Sequence, residues 1–123
     1  MPTFCELAGV KDYEAKYRAK GSTNHFDGIS IAPTLLGNNG AQKMHDHLYW
    51  EFSGMNSIAV RQGDLKLVVN KGECSLYNLH FDWHEDIDIA NLYPEKVEEL
   101  IDIVHKGHVE NPIFPVTLPS KKQ

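Results

Sequence analysis

Leu48-Tyr49-Trp50-Glu51-Phe52, Ile58-Ala59-Val60-Arg61, Leu65-Lys66-Leu67-Val68-Val69 and Leu76-Tyr77-Asn78-Leu79 make up the stretch whose reading decides the fold. In the first run Leu48, Trp50 and Phe52 alternate with Tyr49 and Glu51, the period-two pattern of a strand buried on one face. This predicts Leu48, Trp50 and Phe52 in the core, with Trp50 packed there in preference to stacking on a sugar. Ile58 and Val60 alternate with Ala59 and Arg61, and Leu65, Leu67 and Val69 with Lys66 and Val68. Gln62-Gly63-Asp64 is short enough for a hairpin, and Asn70-Lys71-Gly72 turns the chain into the last run. Antiparallel strands in sequence order are therefore predicted, with Glu51 and Arg61 on the face away from the apolar residues and expected to form a cross-strand ion pair.

Beyond the strands, Pro94 suits the first turn of a helix, where a missing amide costs nothing. Val97, Leu100, Ile101 and Val104 then follow at i, i+3, i+4 and i+7, one apolar face. Glu95, Glu98 and Glu99 lie toward the positive N-terminal end, His105 and Lys106 toward the negative end, and Gly107 is placed to cap it. Sheet and helix can each bury the other's apolar face, which predicts an α+β fold: a four-stranded antiparallel sheet packed against one C-terminal helix.

Before the strands, residues 1–40 read as a loop-rich segment with short helical turns. Phe4, Leu7 and Ala8 stop at Gly9, a polar stretch runs from Lys11 to Asn24, and Asp27-Gly28 marks a turn. Ser30 can cap a helical turn through Ile31, Leu35 and Leu36, ended by Gly37 and Asn38-Asn39-Gly40. Residues 1–40 and 41–123 thus read as two parts. Phe4, Leu7, Ile31, Leu35 and Leu36 look made to pack on something outside the segment, so they are expected to be mobile or to self-associate with another copy of the chain.

The length of 123 residues, with 41% hydrophobic and 24% charged, suits one core. A net charge of −5, with no basic run longer than Lys121-Lys122, argues against nucleic acid or an anionic membrane as partner. Apolar runs fall far short of the roughly 20 residues of a membrane helix. Cys5 and Cys74 permit at most one disulfide and no four-cysteine zinc site.

Seven histidines raise a metal hypothesis. His45-Asp46-His47, placed on a strand, would put both imidazoles on one side, but a third ligand must come from elsewhere, so surface histidines are the preferred reading. Asp82 to Asp88 is acidic yet lacks the central Gly and terminal Glu of a calcium loop, and a solvated turn with Asp caps is preferred. Neither cysteine sits in a catalytic signature, and no G-x-S-x-G or P-loop occurs.

Ordered blocks along the chain resemble a known family. Pro2-Thr3-Phe4-Cys5-Glu6-Leu7-Ala8-Gly9 and Asp27-Gly28-Ile29-Ser30-Ile31-Ala32-Pro33-Thr34-Leu35-Leu36-Gly37 are similar to the end of the catalytic domain of formylglycine-dependent (type I) sulfatases. His45-Asp46-His47-Leu48-Tyr49-Trp50-Glu51-Phe52 resembles that family's H-x-x-L-Y-W-E strand, and Ala59-Val60-Arg61-Gln62-Gly63-Asp64-Leu65-Lys66-Leu67 its A-V/I-R-x-G-D/N-W-K-L. Leu76-Tyr77-Asn78-Leu79 through Glu95 resembles L-Y-D/N-L-x-x-D-P-x-E-x-x-N-L-A-x-x-x-P-E. Leu65 replaces the family's Trp, Trp83 its Pro, and Asp88 its Asn.

The resemblance is strongest to arylsulfatase or N-acetylgalactosamine-6-sulfatase-like members. It implies that residues 1–40 are the edge of the catalytic domain and 41–123 the C-terminal subdomain, with the missing catalytic domain as partner and sulfated carbohydrate as ligand. For the parent it implies a periplasmic or secreted location and a formylglycine that attacks sulfur beside a calcium ion. Neither cysteine begins the C/S-x-P/A-x-R motif that yields formylglycine, since Cys5 is followed by Glu6-Leu7-Ala8 and Cys74 by Ser75-Leu76-Tyr77. No catalytic residue carries over, and the expected role is structural with a share in substrate recognition. The candidate substrate-binding residues are His45, His47, Tyr49, Glu51 and Arg61. An autonomous carbohydrate-binding or adaptor module is the alternative, and a His-based metal-binding protein the third reading.

Overall fold

Two-residue turns between period-two runs make hairpins, and the computed structural model shows them joined into one sheet. It describes residues 1–17, 20–21 and 26–121, so residues 18–19 and 22–24 of the polar stretch, and Lys122, lie outside the described residues. The chain divides into two units, Met1–His45 and Asp46–Gln123.

In the second unit the strands are β1 (Leu48–Phe52), β2 (Ser57–Gln62), β3 (Leu65–Asn70) and β4 (Glu73–Asn78), antiparallel in the order β1-β2-β3-β4. Gly63 has φ +60° at the first position of its two-residue turn, while Lys71 (φ +52°) and Gly72 (φ +89°) are both left-handed. These are the conformations of primed turns, whose twist matches that of the strands they join. The register sets Val60 opposite Leu67 and Leu67 opposite Leu76, with Ile58 opposite Val69.

Ile58, Val60, Leu67, Val69 and Leu76 thereby share one face, and all are buried. The C-terminal helix, spanning Pro94–Gly107, lays Leu100, Ile101 and Val104 against them. Each such side chain contributes roughly 1.5–3 kcal/mol through removal from water. The fold is thus α+β, as the alternation and the helical spacing predict.

Expectations change at β1 and at the end of the helix. Leu48, Trp50 and Phe52 are not in the core but on the uncovered face, 39%, 48% and 59% exposed. The register decides this: Tyr49 lies opposite Val60 and Glu51 opposite Ile58, so those two point toward the helix side. Gly107 does not cap the helix in a left-handed conformation; it remains helical and His108 leaves in an extended one. Its role is space, because a Cβ there would stand 3.2–3.4 Å from the Tyr49 ring.

The segment after the helix folds back. Thr117 N–H donates to Asn56 Oδ1 (2.6 Å) and Asn56 Nδ2 to Thr117 Oγ1 (2.9 Å). Val116 and Leu118 pack on the core, and the Pro119 carbonyl sits 2.9 Å from His105 Nε2. Beyond β4, Ile89 N–H donates to the Leu76 carbonyl (2.8 Å) while Asp88 Oδ1 accepts from Leu76 N–H (3.0 Å) and Ala90 N–H (2.8 Å). The loop therefore occupies the outer edge of β4.

Among the described residues the first unit holds three short α-helices, α1 (Pro2–Leu7), α2 (Tyr13–Tyr17) and α3 (Ala32–Leu35), which makes the helix of the second unit α4. Ser30 does not cap this helix: the N-cap is Ile31, without a side-chain capping bond, and Ser30 Oγ accepts from Ala32 N–H (3.1 Å) from one residue ahead of it, while Gly37 ends the turn at φ +77°. Thr3 Oγ1 accepts from Ile31 N–H (3.2 Å), tying α1 to α3. Asp27-Gly28 forms no turn and runs as irregular chain. Phe4, Leu7, Ile31, Leu35 and Leu36 are all exposed.

Candidate functional site

The helix-facing side of β1 ends in three polar side chains. Tyr49 lies flat over Gly107, and its hydroxyl donates to Glu51 Oε1 in a short hydrogen bond. His108 Nδ1 lies 2.8 Å from the same oxygen. Because the sheet rim is partly open, an aromatic body with a polar tip suits the position better than an aliphatic chain. Burial, then the hydrogen bond to Glu51 and that carboxylate's charge, push the Tyr49 phenol well above its ordinary range. Tyr49 is therefore a donor at neutral pH and not a base. Among the described residues Glu51 Oε2 makes no hydrogen bond, so the pinned carboxylate keeps one oxygen for an incoming hydroxyl or amide donor.

Tyr49 and Glu51 thus come together, and Arg61 does not join them. Arg61 sits opposite Leu48 on the uncovered face, where its Nε donates to the Gly63 carbonyl (3.0 Å). The expected Glu51–Arg61 ion pair does not form, because the register places the two residues on opposite faces; Glu51 pairs with His108 instead. His45 ends the first unit and His47 precedes β1, so the His45-Asp46-His47 segment is not on a strand, contrary to the geometry supposed for it. His108 was not singled out from sequence, being 57 residues from Glu51. A histidine directly after the glycine that ends an amphipathic helix was the available signal.

A second polar group organises the acidic loop. Asp82 accepts from Asp86 N–H (3.1 Å) and Ile87 N–H (2.9 Å), and these donors hold its carboxyl below the usual range. Lys66 Nζ pairs with Glu85 at 2.5 Å. The acidic residues cap backbone amides, as the solvated-turn reading predicts. The Trp83 indole stacks at 3.8 Å on His84 and is 75% exposed.

Among the described residues no three His, Cys, Asp or Glu side chains converge on a common point. Cys5 and Cys74 are free thiols, and burial raises that of Cys74. Among the described residues no helix is long and apolar enough to cross a membrane.

Sheet, helix and rim cluster define an α+β module. Its fold is shared with the crystal structures of Ps i-CgsB and of Ps i-CgsB in complex with k-i-k-neocarrahexaose. Each is 22% identical over 97% of this chain, with a TM-score of 0.63. The chain spans 25% of the length of those structures. No protein-family model and no curated protein matches the sequence.

Proposed function

We propose that the chain is the C-terminal region of a sulfatase, a sulfuric ester hydrolase acting on sulfated glycans or aryl sulfates. In this reading it buttresses the cleft of the intact enzyme and shares in substrate recognition without supplying a catalytic residue. The observation that carries it is a fold likeness running through 97% of this chain while taking up 25% of Ps i-CgsB, so that the chain matches one part of a longer protein. The ordered sulfatase-like blocks from Pro2 to Glu95 support the same reading. That one neighbour structure holds a neocarrahexaose favours sulfated carbohydrate as the ligand class.

Within that proposal the Tyr49–Glu51–His108 cluster offers a carboxylate oxygen to a substrate hydroxyl. Arg61, on the other face, and His45 and His47 ahead of β1 remain separate candidates for sulfate contact. Calcium and formylglycine belong to the catalytic portion of the parent.

The coding DNA upstream of Met1, read in frame, tests this: a C/S-x-P/A-x-R motif is expected, and an open frame without one refutes the reading. Isothermal titration of the 123-residue chain with a sulfated carrageenan oligosaccharide is expected to show no heat of binding. Tight binding by the isolated chain would favour an autonomous carbohydrate-binding module, for which the exposed Trp50 and Trp83 rings are the relevant observation.

A further inference from the structure

The two edges of the sheet are treated differently. At β4 the chain's own loop blocks the edge, through Asp88 on the Leu76 amide and Ile89 on the Leu76 carbonyl. At β1 no such cover exists: among the described residues no backbone hydrogen bond reaches its outer side. Leu48–Phe52 also lacks the lysine, proline or bulge that ordinarily protects an edge strand. Its uncovered face carries Leu48, Trp50 and Phe52, with Met55 exposed just beyond.

We infer that β1 is a self-pairing edge, taking the β1 of a second copy of this chain to form a continuous antiparallel sheet across a two-fold axis at Trp50. The five-residue sequence is self-complementary in that register. Leu48 meets the partner's Phe52, and Trp50 meets the partner's Trp50, so one face of the seam is wholly apolar. On the other face Glu51 meets the partner's Tyr49, so no like charges stand directly opposite one another. A two-fold interface needs this property, because every residue meets its mirror position. The surface is distinct from residues 1–40, where the sequence places self-association.

Sedimentation velocity of the 123-residue chain over a concentration series tests it. A dimer is expected, and Trp50→Lys, which sets two ammonium groups against each other at the axis, is expected to abolish it while circular dichroism stays unchanged. Phe52→Lys alone is expected to weaken the dimer, and Leu48→Glu combined with Phe52→Lys to restore it, a rescue that a folding defect would not show. A chain that stays monomeric, a folded Trp50→Lys protein that still dimerises, or failure of the rescue overturns the inference. Loss of the dimer on Phe4→Lys or Leu35→Lys, with Trp50→Lys inert, assigns it to residues 1–40 and also overturns it. The proposed function is read separately, from the upstream frame.

Discussion

Replacing Asp88 by alanine removes the acceptor for two backbone donors at once, Leu76 N–H at 3.0 Å and Ala90 N–H at 2.8 Å, and with them the clasp that holds the loop on the edge of β4. A hydrogen bond to a charged group contributes about 1.5–3 kcal/mol, but Asp88 is open to water that can replace it, so about 1 kcal/mol each is the fitting value. The sum, about 2 kcal/mol, corresponds to a fall in Tm of roughly 10 °C for a domain of this size.

Asp88→Asn keeps the Oδ1 acceptor and loses only the charge assistance, so about half that cost is expected. Burial alone would raise the Asp88 carboxyl, yet the donors from Ala90, Leu76 and Ser75 outweigh it and the value is lowered. A lowered folded-state value means stability present above the unfolded value of about 3.9 and lost as the pH falls through the folded one. Thermal unfolding followed by circular dichroism, at neutral pH and again in acid, reads all three effects. The gap between parent and Asp88→Ala is expected to close in acid. An alanine variant within about 0.5 kcal/mol of the parent at neutral pH, or an asparagine variant as costly as alanine, would refute the reasoning.

Tyr49→Phe is expected to cost about 1 kcal/mol at neutral pH and to delete the last-ionising component when the five tyrosines are titrated by ultraviolet absorbance. Because the folded-state value of Tyr49 is raised, its contribution is complete below the ordinary value of about 10 and is lost as pH rises through the folded one. The variant should therefore lose less stability in alkali than the parent. Asn56→Gly preserves the left-handed backbone at φ +51° while removing both bonds to Thr117. Faster amide exchange across Val116–Leu118, with little change in β2 and β3, is the expected result by hydrogen-exchange mass spectrometry.

Local interactions made much of this fold legible. Pro94 and the spacing of Val97, Leu100, Ile101 and Val104 specify α4, because a helix is built from contacts three and four residues apart. Gly63 and Lys71-Gly72 specify the hairpins, since turn conformation follows from which residues tolerate positive φ. Gly37 ends α3 for the same local reason.

What the residues alone could not decide lay at longer range. Period-two alternation divides β1 into two faces but does not say which is covered, and aromatic bulk favoured the wrong one. Only pairing with β2 puts Tyr49 opposite Val60 and leaves Trp50 exposed, because a one-residue change of register exchanges the faces. The same register separates Glu51 from Arg61, which alternation by itself had placed together. His108 and the returning segment at Thr117 and Pro119 carry no periodic signal; their positions follow from contacts with Glu51, Asn56 and His105 made after the core has formed. Sequence by itself thus determined the elements and their order, through interactions between near neighbours. The tertiary structure decided which face of β1 is wet and which polar groups meet at its rim, because those outcomes depend on packing between residues far apart in the chain.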